Sequence, residues 1–373
     1  MLTLIKNVAL YNPNYQGIQD ILICFDKIVK LEPNISCSEA TIIDKRGFIA
    51  LPGIIDQHLH ITGGGGEGGY QTRTREVNLS RLISGGITTL VGLLGTDSLT
   101  QNIEALVAKT KALKQEGITA YCLTGAYNYP SPTLTGSISK DIAYIEEIIG
   151  VKLALSDHRE SYITTDELKK LAAKVRVASM IAGKPGILTL HMGDDERGLE
   201  QIFTILTETS LPIWHFRPTH VTRNEKLFQD SLKFLSLGGY IDITVGGNNE
   251  KLLNDLAQID KAYYDFVTFS SDGNGSYSKY DSEGKLSKIG VQSCDGIINS
   301  IKYLINNGLS ITDVIKFATS NVSKALNLVN KGLEVGKDAD IILLDENYDL
   351  DTVIALGKKM LINKDIINKG MLE

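Results

Sequence analysis

His58 and His60 stand two residues apart at the end of an apolar run, and a strand's period of two would aim both imidazoles at one face. Alone, such a pair reads more readily as polar surface than as a metal site. Its place after Leu51-Pro-Gly-Ile-Ile-Asp56 and the company of further ligand types change that. His191 closes Gly186-Ile-Leu-Thr-Leu-His191 and His220 follows Arg217-Pro-Thr219, so four of the six histidines end strand-like runs. Singly, each of these two could be a hydrogen-bonded core histidine. Asp272 closes Asp265-Phe-Val-Thr-Phe-Ser-Ser-Asp272, where a carboxylate can bind metal, accept a proton, or merely cap an Asp-Gly turn. Lys152 lies within Ile148-Ile-Gly-Val-Lys-Leu-Ala-Leu155, where a bare ammonium is costly to bury. Either it snorkels to the strand end, or burial lowers its pKa until it reacts with CO₂ to give a carbamate that bridges two cations. Four imidazoles, a carboxylate and a carbamate suit two Zn²⁺ ions best. Such a pair activates a shared water and polarises a carbonyl, which is the chemistry of amide hydrolysis.

A scaffold must bring these scattered residues together. Strand-like apolar runs at 54–60, 87–93, 118–125, 151–156, 187–192, 212–216, 240–244 and 266–271 are separated by helical stretches such as 102–115, 166–181, 199–208 and 295–307. This repeat predicts a (β/α)₈ TIM barrel, in which the C-terminal ends of the strands carry the chemistry. An open doubly wound sheet is the alternative, but no G-x-G-x-x-G follows a strand. Short runs of alternating polarity near both chain ends read as antiparallel strands that join in one small β-sandwich. The expected division is 1–51 with 331–373 for the sandwich and 52–330 for the barrel.

Bulk properties narrow the partners. A formal net charge of −6 over 373 residues argues against nucleic acid or an anionic membrane. No apolar run reaches the about 18 residues of a membrane span. Cys24, Cys37, Cys122 and Cys294 are scattered without a C-x-x-C pair, which suggests neither disulfides nor a thiolate metal site. The N-terminal segment has no signal-peptide pattern, so cytoplasm is the expected location.

The whole chain resembles the isoaspartyl (β-aspartyl) dipeptidases of the amidohydrolase superfamily. The resemblance is carried by Gly53-Ile-Ile-Asp-Gln-His-Leu-His60, Gly63-Gly-Gly-Gly-Glu67, Gly92-Leu-Leu-Gly-Thr-Asp-Ser98 and Thr124-Gly-Ala-Tyr127. Gly150-Val-Lys152, Ser156-Asp-His-Arg159, Pro218-Thr-His-Val-Thr-Arg-Asn224 and Ser270-Ser-Asp-Gly-Asn-Gly-Ser276 complete it. It implies that His58, His60 and Asp272 hold one zinc and His191 and His220 the other, bridged by N6-carboxylated Lys152 and a hydroxide. It further implies that Asp272 relays the proton, Tyr127 stabilises the oxyanion, and Glu67 pairs with the α-ammonium of a β-aspartyl dipeptide. Arg159, Arg223 and Ser276 would hold carboxylates, with Thr96 close by. A homo-oligomer, up to an octamer, is likewise implied.

The charge set agrees with such a substrate, whose one ammonium and two carboxylates flank an internal amide. Still, charged residues at strand ends are commonly just solvated. A dihydropyrimidinase, dihydroorotase or N-acyl-amino-acid deacylase would share the metals, and a scaffold protein could share the barrel. A cyclic amide has no ammonium for Glu67, and no ligand position is missing as a scaffold would allow. The glycine run 63–66 reads as a loop that lets backbone approach the ligand closely, since it lacks the Gly-Lys-Ser/Thr ending of a phosphate loop. His158 is expected to support the site, His215 to pack, and segment 277–285 to vary the pocket rim.

Overall fold

The computed structural model describes residues 2–281, 283 and 285–373. Ser282 and Gly284, within the expected rim segment 277–285, lie outside the described residues, as does Met1. The chain opens with β1 (Leu2–Tyr11), β2 (Tyr15–Cys24), β3 (Lys27–Glu32), β4 (Thr41–Asp44) and β5 (Ile49–Pro52). Eight parallel strands follow: β6 (Ile54–Leu59), β7 (Ile87–Gly92), β8 (Thr119–Gly125) and β9 (Ile148–Leu155), then β10 (Ile187–Met192), β11 (Phe216–Thr219), β12 (Ile241–Thr244) and β13 (Val267–Ser270). A hairpin, β14 (Ser276–Tyr280) and β15 (Leu286–Val291), precedes the closing strands β16 (Ile341–Leu344), β17 (Leu350–Ala355), β18 (Lys358–Ile362) and β19 (Asp365–Ile366).

Strands β6 to β13 pair in sequence order, and β6 meets β13 through a Leu59–Gly273 bridge, with His60 N donating to Gly273 O at 3.0 Å. The sheet thus closes into a (β/α)₈ barrel. Its seam is splayed: Ile55 N and Phe269 N donate not across it but to Ala318 O and Phe317 O. A helix follows each barrel strand, from Leu79–Ser84 after β6 to Gly296–Asn306 after β13. The expected starts hold because local chemistry sets them. Asn102 caps Ile103–Glu116 by accepting from Ala105 N at 2.8 Å, and Thr164 with Glu167 forms a capping box on Thr165–Ala182. Gly117, at φ 109°, supplies the left-handed residue that ends the first of these helices.

The expected sixth strand, 212–216, begins late. Residues Ile213–His215 form a 3₁₀ turn, and β11 runs through Pro218. Proline brings no N–H to a ladder, and β11 retains a single pair with β12, Thr219 with Asp242.

Both chain ends meet in one nine-stranded sheet, with β16 pairing antiparallel to β5. It buries its own apolar cluster, including Ile5, Val8, Ile21, Ile28, Ile341 and Ile354. The antiparallel expectation fails for β4 and β5, which run parallel to β1. After three strands the chain again runs in β1's direction, β2 occupies one edge of β1, and the connection 33–40 returns the chain to β1's free edge. There β1 pairs with β4 over Thr3–Lys6 and with β5 over Ala9–Leu10, changing partner where Asn7 adopts φ 62°.

Candidate active site

Ligand-type side chains from both sides of the seam converge where the strands end. His58 lies in β6 and His60 just past it; Lys152 is in β9 and His191 in β10. His220 and Asp272 follow β11 and β13 at φ 61° and 52°. This left-handed backbone costs a β-carbon residue about 1 kcal/mol or more and turns each side chain back over the barrel. His60 Nε2 lies 3.1 Å and His58 Nε2 3.5 Å from Asp272 Oδ1. Lys152 Nζ is 2.9 Å from His58 Nε2, and the His220 ring centroid lies 4.9 Å from that of His58 and 4.4 Å from that of His191. All six expected metal-binding side chains therefore share one cluster.

The donor set fits cations. His58, His220 and Asp272 each offer a ligand atom within 4.8 Å of the others. His220 Nδ1 is engaged by Thr244 Oγ1 at 2.5 Å, while among the described residues its buried Nε2 has no hydrogen-bond partner, nor do Nδ1 of His58 and of His60. Orphaned buried nitrogens are costly, and a metal ion satisfies such an atom while the other ring nitrogen is held by a neighbour. Burial, reinforced by surrounding cationic groups, keeps His58, His191 and His220 well below the ordinary 6.5, so they present neutral imidazoles. Burial also brings Lys152 down to about 7 against the pull of Asp272 and Asp242, so much of it is free amine near neutrality.

Beside the cluster is a cavity of about 320 Å³ lined by Glu67, Thr96, Tyr127, Arg159, Arg223 and Ser276, among others. Glu67 accepts from Ser276 Oγ at 2.9 and 3.0 Å and from Thr96 Oγ1 at 3.2 Å, with Arg159 Nη1 3.5 Å away. Ser276, expected on a substrate carboxylate, thus braces Glu67 in this structure. Tyr127 Oη lies 2.8 Å from His191 Nδ1, and burial raises its phenol above the ordinary 10, so it remains a proton donor. A larger cavity, about 460 Å³, lies around Pro52, Gly53 and Ile55, at the barrel's other end and remote from every ligand.

Gly65 of the glycine run lines the cavity, and the run also packs closely on the chain's own backbone. A Cβ on Gly63 or Gly65 would lie 2.4 Å from Thr74 O or 2.3 Å from Thr72 O, and one on Gly64 3.1 Å from Gly275 Cα. His158 lines the cavity, whereas His215 is buried against the Gly186 carbonyl at 2.6 Å and Arg176.

Sequence reasoning missed the groups behind these residues. Asp157 takes two hydrogen bonds from the Arg159 side chain, at 2.8 and 2.7 Å, and one from its backbone N–H, and lies 3.2 Å from His191 Nε2 and 3.5 Å from Arg223 Nη1. Although burial pushes its carboxyl up, these partners outweigh that and hold it well below 3.8. Asp56 accepts from His58 N at 3.1 Å and from the Ser271 hydroxyl, which ties β6 to the end of β13. Inward Asp242 and Thr244 share a strand face by period two, a signal that was available in 240–244.

A model of the amidohydrolase family matches residues 215–368. Dihydroorotase of Streptococcus pyogenes serotype M1 is 33% identical over 132 residues, which span 34% of this chain and only 30% of that enzyme. The Aquifex aeolicus dihydroorotase is 24% identical over 93% of this chain and 90% of its own length. The structure of the β-aspartyl dipeptidase of Fervidobacterium islandicum AW-1 in complex with β-Asp-Leu is 40% identical, covers 99% of both chains, and superposes with a TM-score of 0.94. Another structure of the Fervidobacterium enzyme gives 38% and 0.91 over the same share. Identity of this order along the full chain, on a barrel with these ligand types at its strand ends, means that the chain belongs to the amidohydrolase family and, within it, to the β-aspartyl dipeptidases.

Proposed function

We propose that this enzyme hydrolyses the amide joining the side-chain carboxyl of an isoaspartyl residue to the next amino acid of a dipeptide. Carrying the reading is one observation: a carboxylate buried at the cavity wall, Glu67, with Arg159 3.5 Å from it and Arg223 lining the same cavity beside the imidazole cluster. Glu67 and the two arginines thus offer one anion and two cations, beside the further lining carboxylates Asp194 and Asp272, for one ammonium and two carboxylates. Bidentate guanidinium pairing suits the carboxylates.

His58, His60 and Asp272 would hold one zinc and His191 and His220 the second, with Lys152 bridging them. Two such cations, when bound, lower the pKa of a shared water and polarise the scissile carbonyl. Lys152 takes up CO₂ through its free amine, forming the N–C bond of a carbamate and releasing one proton. Asp272 accepts a proton from the attacking water and returns it to the leaving amine. Tyr127 donates its O–H to the carbonyl oxygen as negative charge develops there. Glu67 receives the α-ammonium, and the two arginines receive the carboxylates. A homo-oligomer, up to an octamer, belongs to the same reading and rests on the resemblance alone, with light scattering as its test; a cytoplasmic location is proposed from the four scattered cysteines.

The decisive experiment measures zinc per chain together with hydrolysis of β-Asp-Leu, α-Asp-Leu and dihydrouracil. Two ions and preference for the β-linked dipeptide are expected. Dihydrouracil turnover without β-Asp-Leu cleavage would shift the assignment to a cyclic amidase, in line with the dihydroorotase similarity.

A further inference from the structure

Strand β12 lies between two strands that lead into expected metal ligands, His220 after β11 and Asp272 after β13, yet supplies none itself. Its Asp242 is 1% exposed. Oδ1 accepts from Gln57 Nε2 at 2.7 Å, and Oδ2 accepts from Thr219 Oγ1 at 2.7 Å and Ser270 Oγ at 2.6 Å. Thr268 Oγ1 lies 3.0 Å from Oδ1. Each tether neighbours a ligand: Gln57 precedes His58, Thr219 precedes His220, and Ser270 stands two residues before Asp272.

These tethers sit where the backbone ladder is thinnest. β9 and β10 share six paired positions and β12 and β13 share four. By contrast β11 joins β12 through one pair, and β6 meets the turn just past β13 through one bridge. Backbone pairing therefore leaves the spacing of the ligands on β6, β11 and β13 weakly determined. One buried carboxylate spans all three.

We infer that Asp242 is a positioning residue of the metal centre, setting the spacing of His58, His220 and Asp272 by tying together the strands that carry them. The inference rests on the function proposed above and extends it from the ligands to the group that spaces them. A carboxylate that served stability alone would shift unfolding without changing zinc affinity once folded. A positioning role shows in affinity itself, because residues behind metal ligands typically govern it by about 10- to 100-fold.

Chelator competition on the zinc-loaded enzyme gives the readout, with thermal unfolding and β-Asp-Leu kinetics in parallel. Asp242→Asn keeps the shape but replaces an accepting oxygen with a donor; about ten-fold weaker zinc binding is expected. Thr219→Val and Ser270→Ala each remove one tether, with smaller losses in the same direction, and they carry the test if the Asn variant does not fold. With zinc saturating, kcat should fall while KM for β-Asp-Leu stays within about two-fold, since Glu67, Arg159 and Arg223 are untouched. Parental zinc affinity in the folded variants would overturn the inference alone. A parent chain that takes up no zinc would overturn both the function reading and this extension of it.

Discussion

Lys152 is the residue whose chemistry depends most on its surroundings. Fully buried and 2.9 Å from His58 Nε2, its amine is brought to about 7 by desolvation. Near neutrality it can react with CO₂, as an exposed lysine of pKa about 10.4 rarely can. Lys152→Ala should lose bound zinc and activity together, and short carboxylates such as propionate should restore part of both by supplying bridging oxygens. A variant with two zinc ions and parental turnover unaided would make the lysine merely structural. Glu67 is a sharper probe of the substrate. Its carboxylate is braced by Ser276 and Thr96, and on the proposed reading it measures how far the ammonium lies from the scissile carbonyl. Losing that charge pair costs about 1 to 3 kcal/mol, so Glu67→Gln should lower kcat/KM for β-Asp-Leu by about five-fold to about 150-fold, with zinc content unchanged. Full activity in that variant would remove Glu67 from the recognition of substrate.

Among the elements that carry the site, the turn after β13 has little room for change. A Cβ on Gly275 would lie 2.6 Å from His60 Cδ2 and 2.8 Å from both the Asp272 carbonyl and Oδ1. Side-chain-bearing residues essentially never sit so close, so Gly275→Ala must displace either His60 or Asp272. Misplacing a ligand by a fraction of an ångström weakens a metal site. The variant should bind zinc about ten-fold more weakly while unfolding within a few degrees of the parent. Unchanged zinc affinity would mean that the turn relaxes without moving either side chain. Gly64 packs on the same turn, Cβ to Gly275 Cα at 3.1 Å, so the glycine loop carrying Glu67 and the turn carrying Asp272 are fitted to each other.

At the scale of the molecule, the terminal sheet is fastened to the barrel by a buried charge cluster. Lys331, 6% exposed in its side chain, donates to Thr119 of β8 at 2.7 Å and to Asp340 at 2.5 Å, and pairs with Asp338 at 2.9 Å; Lys27 of β3 also reaches Asp338. Lys331→Met would strand the buried Asp340 and leave Asp338 to Lys27 alone, a change that costs about 3 kcal/mol or more and is measurable by urea unfolding. Burial pushes the Asp338 carboxyl up, but Lys27 and Lys331 outweigh it and hold it below the ordinary 3.8. A depressed carboxyl contributes stability that is complete above its unfolded value and lost as pH falls through its folded one. The Tm deficit of Asp338→Asn should therefore be full at pH 7 and narrow below about pH 4. An equal deficit at pH 3 would locate the contribution in shape rather than charge. Asp340, raised by burial, acts in the opposite sense, so Asp338→Asn rather than the parent's acid profile isolates the effect.

The barrel and the ligand types were legible in the residues because both depend on local order: period two along strands, caps and glycines at helix ends, and histidines at the ends of apolar runs. His58, His60, Lys152, His191, His220 and Asp272 could be selected from those patterns, and Glu67, Arg159 and Arg223 from the motifs of a family. Tertiary structure alone decided what stands between them. That Asp157 joins Arg159, Arg223 and His191, and that Asp242 ties β6, β11 and β13, depends on residues up to 185 positions apart meeting inside a closed barrel. The direction of β4, the late start of β11 and the seam held through Phe317 and Ala318 were likewise settled by which edges remained free to pair. Periodicity says which face a side chain takes; closure of the sheet says what it meets there.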